Sequence, residues 1–122
     1  MPELRAQFEA YGADYDVTMA RFLGNEAMYL KFLNMLPQDD SLQKLGQALD
    51  GGDLTAAFAA AHTLKGVTGN LGLTPLYQAV CAIVEPLRAG EPRDYSAAYQ
   101  TVRREFHRVE ELLERLKEGG QA

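Results

Sequence analysis

The sequence predicts an all-α fold: an antiparallel four-helix bundle with short N-terminal helices. Four observations carry that prediction. The punctuation along the chain consists of helix caps and stops, and the last long segment keeps one apolar stripe at steps of three and four. No window shows sustained period-two alternation, so no strand is read. The connections are short, which favours antiparallel neighbours. The 122 residues are read as one domain, 1–122, long enough to bury a core without covalent staples. The bundle core is placed at about 16–118, with the Gly-Gly-Gln-Ala end, 119–122, as a frayed tail.

The elements follow in order. Leu4, Phe8 and Tyr11 fall at i, i+4 and i+7, giving a short amphipathic helix that ends near Gly12. Asp16 is the expected cap of a second short helix that stops at Gly24. Asn25 caps a longer one through Leu36, closed by Pro37. Asp39, Asp40 or Ser41 opens the next, which carries Leu42, Leu45 and Leu49 to Gly51-Gly52. Asp53 caps a helix running to about Leu71, with its exit at Gly72. Thr74-Pro75 reads as a cap followed by proline at the first helical position, opening a helix to about Ala89. Pro86 lies inside that pattern, so a kink or early stop near Val84 is expected. Asp94 opens the last helix, where Tyr99, Val102, Phe106, Val109, Leu113 and Leu116 form the seam of a bundle. Residues 25–36 are apolar on more than one face: Phe22, Tyr29, Leu33 and Leu36 form one stripe, Met28, Phe32 and Met35 another. The second stripe is expected to close the bundle end against the N-terminal helix. The alternative is an apolar docking patch.

Composition narrows the function. A net charge of -5 with thinly spread Lys and Arg disfavours nucleic acid and anionic membranes as partners. The single cysteine, Cys81, excludes an internal disulfide and sits in an apolar run, where it reads as a small core residue. No signal-type or membrane-spanning apolar stretch is present, so a cytoplasmic location is expected; Met1 and the self-contained bundle favour a free-standing chain, expected as a monomer.

The most informative stretch is Ala60-Ala61-His62-Thr63-Leu64-Lys65-Gly66, continuing to Gly72. At 100° per residue, Lys65 lies about 60° to one side of His62 and Gly66 about 40° to the other. Phe58, Ala59 and Gly69 share the face of His62, while Ala57, Ala60, Leu64, Val67 and Leu71 gather opposite. The histidine therefore points away from the core, beside a cation and bare backbone. An exposed imidazole titrates near neutrality, so much of it carries a free ring lone pair able to attack an acyl-phosphate phosphorus. Lys65 is placed to meet phosphoryl oxygens as a point charge. Gly66 leaves the backbone clear for a donor's active site, although Gly costs about 1 kcal/mol against Ala in a helix interior. Geometry alone leaves open an ordinary surface histidine, with Gly66 and Gly69 serving close helix packing.

The run His62-Thr63-Leu64-Lys65-Gly66 with Gly69-Asn70-Leu71-Gly72 resembles the signature of histidine-containing phosphotransfer (HPt) domains. Arg21-Phe22-Leu23-Gly24-Asn25-Glu26-Ala27-Met28-Tyr29 resembles their helix–Gly–helix entry, and Asp50-Gly51-Gly52-Asp53 the turn before the histidine helix. Val67 and Pro86 depart from the pattern without touching the accepting position. The resemblance implies that His62 exchanges a phosphoryl group with response-regulator receiver-domain aspartates, with a hybrid histidine kinase as a further partner. It also implies that the receiver supplies Mg²⁺, and that this chain is carrier and substrate, not an enzyme, and binds no cofactor or metal of its own. Phe58, Ala59, Gly69 and Asn70 are the candidate docking residues. No P-loop or kinase glycine loop is present, in keeping with a chain that has no ATP site. The alternative is an adaptor that binds a receiver or kinase without being phosphorylated. A kinase's dimerising histidine domain is disfavoured by the Lys-Gly context. His107, with Glu111 one turn on, reads as a solvated pair. Ala59 and Arg104, three residues before the two histidines, fail the Glu-x-x-His pattern of a carboxylate-bridged metal bundle.

Overall fold

In the computed structural model, which describes residues 2–117, all regular structure is helical. The tail at 119–122 lies outside the described residues. Helix α1 (Pro2–Tyr11) buries Leu4, Phe8 and Tyr11 as their spacing predicts. Helix α2 (Tyr15–Arg21) is capped by Asp14 and not by Asp16. The Asp14 carboxylate accepts from the Val17 amide, and its extended backbone is what a cap requires. Asp16 lies inside the first turn, its carboxylate taken by Arg5 of α1 at 2.9 Å. The helix ends at Arg21, short of Gly24, because Leu23 and Gly24 adopt φ of 55° and 73° in succession.

Helix α3 (Glu26–Leu33) is capped by Asn25 through the Met28 amide, as predicted, but stops three residues before Leu36. Asn34 turns its side-chain amide onto the Leu30 carbonyl at 2.8 Å, competing with the helical backbone. Pro37 then disfavours helix for Leu36, and a 3₁₀ turn, Leu36–Gln38, follows instead. Helix α4 (Ser41–Asp50) starts where expected, with Asp39 accepting from the Ser41 amide at 2.8 Å. Helix α5 (Leu54–Asn70) is capped by Asp53 through the Ala56 amide and exits at Gly72, φ 68°.

Helix α6 (Thr74–Arg88) has Leu73 as its cap, so Thr74 and Pro75 both lie in the first turn. Pro86 does not stop it near Val84; the helix runs through to Arg88. The donor lost at proline would have bonded the carbonyl of Ala82, which is exposed, so water can serve that oxygen. Buried Val84 and Leu87 hold the chain on either side of the ring. Helix α7 (Ser96–Leu116) follows Asp94, whose carboxylate accepts from the Ser96 amide at 2.8 Å. It buries the predicted stripe and adds Leu112, while Tyr99 is half-buried.

Helices α4, α5, α6 and α7 pack each against the next. The ring of four closes where Tyr99 of α7 crosses Gly46 of α4, a contact a side chain at 46 would block. Ala57, Ala60 and Ala61 line the buried side of α5, and their small size brings neighbouring helices close. Leu45, Leu64, Leu76, Ile83 and Leu112 are fully buried in the same core, each contributing about 1.5–3 kcal/mol. Helix α1 lies outside α7, with Arg108 donating to the Tyr11 carbonyl at 2.9 Å and Arg115 to the Gln7 side chain at 3.0 Å.

Candidate functional site

Helix α5 is fixed at both ends before its exposed face does anything. Asp53 caps its start. At its end, Arg21 of α2 donates to the carbonyls of Gly69 and Asn70 at 2.7 and 3.3 Å, and the Tyr29 hydroxyl donates to that of Leu71 at 2.6 Å. Burial pushes the Tyr29 phenol well above its ordinary pKa, so it stays a donor even in alkaline solution. Thr68, buried in the last turn, is satisfied by the Leu64 carbonyl at 2.9 Å.

From this rigid rod His62 projects to solvent, as predicted. Among the described residues it has neither hydrogen bond nor ion pair, and its ring lies 5.5 Å from that of Phe58 at a 36° tilt. A shallow depression of ≈ 280 Å³ is lined by His62, Lys65, Gly66, Gly69 and Tyr77. Lys65 is half-buried and unpaired among the described residues, free to turn its ammonium toward an anion. The two glycines differ. A Cβ added at Gly66 meets nothing within 4 Å, whereas one at Gly69 would stand 2.9 Å from the Tyr77 ring. Gly66 is bare surface; Gly69 is a packing residue, the role that close helix packing gives it. A free imidazole, an unpaired cation and unobstructed backbone suit a nucleophile that meets a large partner.

The family model for the Hpt domain matches residues 27–119, most of the chain and all of α4 to α7. The chain belongs to the Hpt domain family. Comparisons with curated proteins and with solved structures return no match. Hpt domains serve histidine phosphotransfer in two-component signalling, and this Hpt chain supplies an outward histidine at the middle of its second bundle helix.

The remaining predicted residues divide by position. Asn70 and Gly66 line a second groove of ≈ 610 Å³ with Phe32, Met35, Val67 and Leu71. Gly66 thus belongs to both concavities. Phe32 and Met35 of the second stripe are here and not against the N-terminal helix, 44 % and 54 % exposed, while its Met28 is half-buried against the core. Tyr29 of the other stripe makes that closing contact, edge-on to Phe8 and Phe22 at 5.6 and 5.0 Å. Ala59 is exposed but turns toward α4, lining a depression with Ser41, Lys44 and Thr63, apart from His62. Sequence reasoning missed Tyr77, Arg21 and Arg88, whose guanidinium lies 5.1 Å over the Phe58 ring. The signal for Tyr77 is that it is the one aromatic residue of α6. Cys81 is half-buried, not core, and its contact with the Tyr77 hydroxyl raises that phenol's pKa.

His107 pairs with Glu110 at 3.4 Å and Glu111 at 3.7 Å on the solvated face of α7. Among the described residues no cluster of His, Cys, Asp and Glu is placed to hold a metal. No helix among them is long and apolar enough to cross a membrane.

Proposed function

We propose that this Hpt chain is a phosphorelay carrier and that His62 is its acceptor. A ring nitrogen of His62 attacks the phosphorus of a receiver's aspartyl phosphate. The N–P bond forms as the P–O bond to the aspartate breaks, and the aspartate leaves as a carboxylate. Donation runs the same step in reverse. Lys65 meets the phosphoryl oxygens, and Gly66 lets the receiver's active site descend to the helix. Phosphoryl transfer requires positioning and charge stabilisation more than covalent chemistry from the protein, so carrier and receiver divide the work. The receiver brings Mg²⁺ and its acidic pocket. The apolar groove at Phe32 and Met35, continuous with the site through Gly66, is where the receiver's surface rests.

The single observation that carries this reading is an exposed, unpartnered His62 beside open Gly66 on an Hpt bundle. The test is incubation with phosphorylated receiver domains, followed by assay for an acid-labile, base-stable label. Wild type should take up label and His62→Gln none, with thermal unfolding unchanged because the side chain lies outside the core. Label that persists on His62→Gln, or moves to His107, refutes the assignment. A chain that binds receivers tightly yet never takes up label is an adaptor.

A further inference from the structure

His62 has no polar partner to fix its ring, so orientation must come from packing. Phe58, one turn back on α5, flanks the imidazole at 5.5 Å. Tyr77, from α6, lines the depression that holds His62 and Lys65. Its ring is seated where Gly69 has no side chain, and even a methyl there would come within 2.9 Å. Gly69 is the penultimate residue of α5, and the space beside it is filled by this one ring. From these contacts we infer that Tyr77 is a positioning residue of the phosphoryl site. Its ring, held in the Gly69 notch, forms the α6-side wall that lines up the His62 imidazole and the phosphoryl group for transfer. This deepens the reading of His62 as acceptor and rests on it.

The step served is the one already described: the N–P bond to His62 forms as the aspartyl P–O bond breaks, or the reverse. Such a displacement is sensitive to alignment, and small misplacements of the reacting groups cost large factors in rate. The ring, not the hydroxyl, fills the notch. Tyr77→Phe should therefore behave as wild type, while Tyr77→Ala should lose the wall. Gly69→Ala reaches the same wall from the other side by pushing the ring outward.

The experiment uses the full chain and a receiver domain charged with acetyl phosphate. Label is followed in time over a range of receiver concentrations and to its endpoint. Wild type, Tyr77→Phe, Tyr77→Ala, Gly69→Ala and the Gly69→Ala/Tyr77→Ala double variant should reach the same endpoint. Tyr77→Ala should lower the maximal transfer rate about tenfold, with the receiver concentration for half-maximal rate nearly unchanged. Gly69→Ala should also slow transfer, and the double variant should be no slower than Tyr77→Ala, because without the ring there is nothing to displace. Transfer by Tyr77→Ala at the wild-type rate overturns the inference. So does a Tyr77→Phe as slow as Tyr77→Ala, or two defects that multiply in the double variant. Tyr77 is half-exposed, so its truncation spares the core; should it nonetheless unfold the chain, wild-type rates in Gly69→Ala overturn the inference alone. A wild-type chain that takes up no label refutes His62 as acceptor, and this inference with it.

Discussion

At Gly66 helix stability and function should pull in opposite directions. A Cβ there meets nothing within 4 Å, so replacement carries no packing cost and only propensity remains. Gly66→Ala should gain up to about 1 kcal/mol, and Gly66→Gln somewhat less. For a chain of 122 residues that is a rise in melting temperature of roughly 3–5 °C. The same side chains stand where the partner must approach. Displacing the donor phosphorus by even about 1 Å costs on the order of 10²-fold in rate, so Gln should cut transfer by at least that factor and Ala by less. Circular dichroism melts and receiver-to-His62 transfer rates on the same three proteins decide the matter. Gly69→Ala is the internal control: at the penultimate residue of α5 a smaller propensity gain is opposed by overpacking against Tyr77, worth about 1–3 kcal/mol. It should therefore be level with wild type or less stable. If Gly66→Gln lowers the melting temperature, position 66 is a packing site and the access reading fails. If it melts higher and still transfers at the wild-type rate, the partner does not come down on this backbone.

Lys65→Ala should slow transfer or shorten the phosphohistidine lifetime while changing the affinity for unphosphorylated receiver by at most about 1 kcal/mol; equal losses in titration and transfer assays would make Lys65 a docking residue. Gly72→Ala should destabilise by about 2 kcal/mol or more in urea unfolding, since φ is 68° and a Cβ would strike the buried Thr18 side chain; near-neutral stability would refute that packing. Arg21→Ala should speed hydrogen exchange of the Leu71–Leu73 amides at the end of α5 while leaving Leu64 and Lys65 protected, because the arginine holds the Gly69 and Asn70 carbonyls. Above pH 10 stability should fall: burial raises the Tyr11 phenol from 10.0 to about 12, so its contribution is full below 10 and lost as pH rises through 12. The full loss is roughly 2–3 kcal/mol, of which about half falls by pH 11; it should shrink in Tyr11→Phe, and denaturant titrations at pH 9 and 11 measure that half.

Local signals were legible wherever one interaction decides an outcome. Asn25 and Asp53 cap as their residue types predict, and the α7 stripe lies in the core as its spacing requires. His62 was placed correctly because a helix face follows from angle alone. What failed was competition between remote groups. Asp16 and Asp14 are equally good caps in sequence, and only the position of Arg5 assigns Asp16 to a salt bridge. Gly66 and Gly69 look alike, and only the arrival of Tyr77 from α6 separates an open glycine from a filled one. The two stripes around residue 30 cannot be ranked without knowing that Phe8 and Phe22 both meet Tyr29. Pro86 misled because its cost depends on whether Ala82 faces water.

Under the proposed function the histidine helix meets two demands that conflict in most helices: a face bare enough for a folded partner and a backbone stiff enough to hold a reacting atom in place. Bareness removes packing from one side, so stiffness must come from the other side and the ends. Ala57, Ala60 and Ala61 bury the inner side with side chains too small to separate α5 from its neighbours. Asp53 fixes the start, while Arg21 and Tyr29 occupy the last carbonyls. Two of the groups at that far end, Arg21 and the Thr18 side chain against Gly72, come from residues before 27, where the family match begins. The short N-terminal helices are thus part of what holds the site: they anchor the end of α5 toward which His62, Gly66 and Gly69 lead, and they do so without covering the face those residues share.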